Sequence, residues 1–127
     1  MKTILQILPR APGSREGVGD YAGILAAELE RAHGYRTEFV TGTTLAGANW
    51  GPPPFEAVVL HYVNYGYHPR GVPSWLPKKL AQMQAGSGHR LVTIFHELYA
   101  SSSWRGSAFW LQPLQKRIAR AIAQRSA

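Results

Sequence analysis

The chain contains no cysteine, which removes disulfide frameworks, thiolate zinc sites, iron–sulfur clusters and cysteine nucleophiles and makes an intracellular, cytoplasmic setting the easier expectation. Acidic residues are scarce: seven Asp and Glu stand against 14 Lys and Arg, for a formal charge of +7. No apolar run approaches the roughly 18 residues of a membrane-spanning helix. The start, Met1-Lys2-Thr3-Ile4-Leu5-Gln6-Ile7-Leu8-Pro9, is charged and then apolar. Its apolar stretch is short and no small-residue cleavage site follows, so it reads as a buried strand rather than a signal peptide. What remains, 127 residues of which 45% are hydrophobic, is the composition of one compact domain.

The charge is unevenly placed. Residues 1–56 hold five basic and six acidic side chains, whereas residues 57–127 hold nine basic ones and only Glu97. Such asymmetry suits an anionic partner, whether nucleic acid, anionic lipid headgroups or a phosphorylated substrate, and equally suits a solvated basic surface.

Hydrophobic patterning alternates strand and helix. Thr3–Leu8 is a near-continuous apolar run of the kind buried on both faces of a parallel sheet. After a loop over 9–17, Val18, Tyr21, Ala22, Leu25, Leu29 and Ala32 recur at spacings of three and four, and His33-Gly34 ends that helix. Tyr35–Thr41 is a second strand. Gly42–Pro54, rich in Gly and with three consecutive Pro, reads as a long loop. Ala57–Val63 is a third strand; Leu76, Leu80 and Met83 mark a second helix ended by Gly86-Ser87-Gly88; Leu91–Phe95 is a fourth strand. Leu111, Leu114, Ile118 and Ile122 line one face of a last helix that also carries Lys116, Arg117, Arg120 and Arg125. The expected fold is α/β: one Rossmann-like domain over residues 1–127, a parallel sheet with right-handed crossovers and helices on both faces. A helical pattern at the end with no closing strand gives the impression of an unfinished domain.

Ligands in such sheets sit beyond the carboxyl ends of the strands, which singles out three segments. In the first, Gly17 and Gly19 open a helix, where exposed N–H groups and the helix dipole favour a phosphate or a sugar hydroxyl. Gly17-Val18-Gly19-x-x-Ala22 also satisfies a relaxed dinucleotide fingerprint, with Glu38 as the ribose partner. Arg10–Glu16, however, separates it from the strand, and Glu38 falls inside a strand pattern. A structural turn, with Asp20 as a first-turn residue, is the plainer alternative. The second and third segments place His61 and His96 at equivalent strand ends. Imidazoles there can orient a hydroxyl, contact a phosphate or accept a proton near neutral pH, or serve simply as structural residues. A zinc site is not expected, because position 100 of His96-Glu97-Leu98-Tyr99-Ala100 is not the second His of His-Glu-x-x-His. Tyr62, Tyr65, Tyr67, Tyr99, Trp104 and Trp110 gather in or beside these loops, as core or as platforms for a sugar, a base, a partner or a membrane interface. The last helix is either an ordinary packed helix with a solvated basic face or one that rests on anionic lipid.

Taken together, the segments resemble the glycosyltransferases with two Rossmann-like domains, the GT-B fold, and within them the family 4 retaining enzymes. The resemblance rests on Ile4–Pro9 with Glu16-Gly17-Val18-Gly19-Asp20-Tyr21, on Leu60-His61-Tyr62-Val63 with Tyr65-Gly66, and on Val92-Thr93-Ile94-Phe95-His96-Glu97. It implies transfer of a sugar from a nucleotide-sugar to an acceptor with retention and without an obligatory metal or other cofactor. It further implies that Gly17 and Gly19 approach the donor and that His96 lies at the reaction centre. His61, Tyr65, His68 and Glu97 become acceptor-side candidates. The family's donor-binding carboxy-terminal domain, with glutamates eight positions apart, has no counterpart; Glu30 and Glu38 share the spacing by coincidence, since they straddle a helix end and a strand. The chain thus resembles about two-thirds of an amino-terminal domain, expected to be inactive alone. Two other readings stay open: a nucleotide-binding module of an NAD(P)-dependent oxidoreductase, and a basic module for membrane or nucleic acid. For the leading reading, peripheral contact with an anionic membrane is an expected accessory and nucleic acid is not.

Overall fold

A computed structural model describes residues 2–9, 17–47, 55–63, 67, 73–87, 90–97 and 112–126. The chain is an α/β fold. Its described elements run β1 (Thr3–Leu8), α1 (Gly17–His33), β2 (Arg36–Thr41), α2 (Gly42–Gly47), β3 (Ala57–Val63), α3 (Trp75–Ser87), β4 (Arg90–Glu97) and α4 (Gln112–Arg125). The four strands form one sheet in the order β2-β1-β3-β4, every pair parallel. From β1 the chain moves outward to β2 and then returns to place β3 on the other side of β1. The carboxyl ends of β1 and β3 therefore flank a topological switch point, where open α/β sheets form their ligand crevices.

Alternation along the strands divides the sheet into two faces. One face is the apolar core: Leu5 and Ile7 of β1, Val58, Leu60 and Tyr62 of β3 and Leu91 of β4 pack with Leu76, Leu80 and Met83 of α3 and Ile118, Ala119 and Ile122 of α4. Thr93 of β4 ties down the end of α4 by a hydroxyl–hydroxyl bond of 2.6 Å to Ser126. The other face carries Ile4, Gln6 and Leu8 of β1 with Val59 and His61 of β3, and α1 crosses it: the Gln6 side-chain amide donates to the Ala22 carbonyl at 3.3 Å. Helices thus lie on both faces.

Helix α1 ends where the sequence pattern puts it. Gly34 adopts φ +70°, and its N–H donates to the Glu30 carbonyl at 3.0 Å while that of Tyr35 reaches Leu29 at 3.2 Å, satisfying carbonyls the helix leaves open. Nothing crowds a Cβ at that position, so Gly34→Ala isolates the conformational cost. It is expected to lower stability by about 1 kcal/mol, read by urea unfolding; an unchanged midpoint would remove the cap from the account.

Two expectations change. The stretch from Gly42, expected as loop, begins with the short helix α2. Thr41 caps it by accepting from the Thr44 N–H at 3.4 Å. Leu45 is fully buried in the core, and Gly42 lies against the Tyr67 ring so closely that a Cβ would come 2.6 Å from it. Glycine at that position permits the packing that holds the helix. In α4, Ile118 and Ile122 are buried as expected, but Leu114 is 43% exposed, and Ala119 takes its place against the core. The helix rests on the sheet through its carboxy-terminal half, and Leu111 lies outside the described residues.

Candidate functional site

Four elements, β1, β3, β4 and α1, bring side chains together on the α1 side of the sheet, toward the carboxyl ends of β3 and β4. His61 and Gln6 are both fully buried. They lie on adjacent strands, Gln6 in register with Val59, and the His61 Nε2 is 2.6 Å from the Gln6 Oε1. The His61 Nδ1 is 3.1 Å from the Nε2 of His96, and the two imidazoles stack with centroids 5.4 Å apart. Tyr21, one turn into α1, sets its ring edge-on to both, 5.9 Å from His61 and 5.5 Å from His96. The tyrosine is 48% exposed and His96 is also exposed. The cluster therefore grades from a buried anchor, Gln6 and His61, to an open end, His96 and Tyr21.

Alternation along β4, with Leu91 and Phe95 turned to the core, puts His96 on the α1 face, and a register shift falls at the same residue. Pairing between β3 and β4 is regular through Tyr62–Phe95 and then passes to Val63–Glu97, leaving His96 without an opposite residue. Shifts of this kind end a ladder, and they recur beside ligand sites.

Burial, and secondly the nearby His96 charge, hold His61 down at about 4, so this imidazole is neutral at ordinary pH. Burial also lowers His96, by desolvation. A neutral pair can pass a hydrogen bond along its length, which a pair of imidazolium ions cannot.

The fate of the sequence candidates differs. His61 and His96 are brought into contact. Gly17 and Gly19 form the first turn of α1, the turn that leads to Tyr21. Glu97 ends β4, its backbone in register with Val63. Tyr65 and His68 lie outside the described residues, as do Tyr99, Trp104 and Trp110. For two of the aromatics the core reading holds and the platform reading does not: Tyr62 and Tyr67 are buried in the core on the α3 side. The Tyr62 hydroxyl is pushed up to about 12 by burial. That of Tyr67 donates to the His61 main-chain carbonyl at 2.6 Å, bracing β3 from behind the site. Gln6 and Tyr21 join the site unforeseen. The sequence signal for Gln6 is a lone amide inside an apolar strand, and Tyr21 falls on the apolar repeat of its helix. Among the described residues no cluster of three His, Asp or Glu side chains suits a metal ion, and no helix is long and apolar enough to cross a membrane.

Compared with protein families, with curated proteins and with solved structures, the chain matches none.

Proposed function

We propose that the chain is the acceptor-side amino-terminal domain of a GT-B, family 4-like retaining glycosyltransferase, which transfers a sugar from a nucleotide-sugar only together with a carboxy-terminal donor-binding domain. The observation that carries the reading is the contact between His61 and His96 at neighbouring parallel strand ends, 3.1 Å apart, beside a half-exposed tyrosine from the helix that follows the glycine-bearing segment. Neutral imidazole nitrogens accept hydrogen bonds from sugar hydroxyls, and an exposed aromatic ring packs against the C–H face of a sugar. In this reading His96 touches the transferred sugar or the acceptor, Gly17 and Gly19 face the donor, and Tyr65, His68 and Glu97 belong to the acceptor side; His61, expected there as a contact, is fully buried with both ring nitrogens engaged and supports His96 from behind. The residues need no resident metal for such binding.

The oxidoreductase alternative loses support from the position of Glu38. A ribose-binding acid belongs at the carboxyl end of the second strand, whereas Glu38 pairs with Leu5 in mid-strand, and the end of β2 is Thr41, opposite Leu8. The basic-module alternative has exposed Arg117, Arg120 and Arg125 on α4, which a solvated surface explains equally.

Joined to a donor-binding domain, the chain is expected to transfer sugar, and His96→Ala to lower kcat/KM at least about tenfold. Undiminished transfer by the variant would remove His96 from the reaction. Binding of a nicotinamide cofactor by the chain alone would replace this reading with the oxidoreductase one.

A further inference from the structure

We infer that Gln6 is a positioning residue: its amide fixes the tautomers of His61 and His96 in series, so that His96 offers an unprotonated Nδ1 as the acceptor for a ligand hydroxyl. That the ligand is a sugar or its acceptor rests on the reading above. The tautomer assignment rests on the hydrogen bonds alone.

The direction of the chain is set at its buried end. The Ala22 carbonyl can only accept, so the Gln6 atom 3.3 Å from it is the donating Nε2, and the amide cannot be flipped without placing two oxygens against each other. Its Oε1 therefore faces His61 at 2.6 Å and can only accept, which puts a hydrogen on the His61 Nε2. A neutral imidazole carries one such hydrogen, so the His61 Nδ1 is a lone pair. The bond of 3.1 Å from that atom to the His96 Nε2 then requires the hydrogen to sit on His96. With its Nε2 hydrogen committed inward, neutral His96 has Nδ1 as its lone pair, on an exposed residue.

The same series directs protonation. The first proton enters at the His96 Nδ1 and leaves every bond of the series intact. A second proton on His61 would need its Nδ1, where it would confront the His96 N–H. Gln6 has no charge and cannot take up a proton, so a proton accepted from a ligand hydroxyl stays on the imidazoles. In this respect the amide differs from the carboxylate of a catalytic triad, which stabilises an imidazolium beside it.

The test is nitrogen-resolved NMR of the histidine rings in the full 127-residue chain at neutral pH, with no sugar present. Both His61 and His96 are expected as Nε2–H tautomers. In Gln6→Met, which keeps the length of the side chain and removes both polar atoms, His61 is expected to populate both tautomers and His96 to lose its single form. In Gln6→Glu, the carboxylate beside His61 is expected to raise the first protonation of the pair by about 1–3 pH units. A wild-type His96 with its hydrogen on Nδ1 would overturn the inference before any variant is made. If either variant gives rings and titration like those of the wild type, the inference is also overturned. These spectra stand or fall without sugar transfer, so failure of the glycosyltransferase reading and failure of the tautomer assignment are told apart.

Discussion

His61→Ala is expected to destabilise the chain by about 4 kcal/mol, a large share of the roughly 5–15 kcal/mol available to a domain of this size. Two losses combine. Truncating a fully buried ring leaves a cavity in the sheet face, and large-to-small changes at such sites cost about 2–5 kcal/mol. The Gln6 Oε1, 2.6 Å from the imidazole, also loses its donor, and an unsatisfied buried acceptor costs about 1–3 kcal/mol. The two overlap, because water entering the cavity can reach the amide. The Tyr67 bond is to the main-chain carbonyl and survives the change. By contrast His96→Ala removes an exposed ring and is expected to cost less than about 1 kcal/mol. Urea unfolding of both variants is the measurement; equal and small losses would show that His61 is not the buried anchor of the site.

Acidification is expected to destabilise the fold through the same residue. His61 is held at about 4 in the folded chain, by burial and then by the His96 charge, against 6.5 for the ordinary group. The unfolded chain therefore binds more protons between those values. The contribution is complete above about pH 6.5, declines as pH falls, and is exhausted below about pH 4. It amounts to about 3 kcal/mol, and His96, also lowered by burial, adds in the same direction. Thermal melting across that interval is expected to show a falling midpoint, much reduced in the structurally closer His61→Gln variant. A midpoint independent of pH from 6.5 to 4 would contradict a neutral buried imidazole.

Much of the scaffold was readable because it depends on local pattern. The apolar runs at Ile4–Leu8 and Val58–Leu60 occupy buried strands, and Leu76, Leu80 and Met83 are all buried in α3. These elements declare themselves in burial periodicity, and Gly34 declares the end of α1 through its backbone freedom. Helix α2 was not readable. Its Gly and Thr residues have poor helix propensity, and it forms because Leu45 enters the core and Gly42 meets a tyrosine 25 positions later in the chain.

The site divides along the same line. That histidines stand toward the ends of the third and fourth strands is a property of the sequence. The strand order, the register shift at His96 and the arrival of Gln6 and Tyr21 beside the pair belong to the tertiary structure. Gln6 and His61 are 55 residues apart in sequence and His61 and His96 are 35 apart. Contacts at such separations depend on register between parallel strands and on which face each strand turns inward. Local composition determines neither; it takes the folded sheet, with α1 laid across it, to make one polar series out of four separate segments.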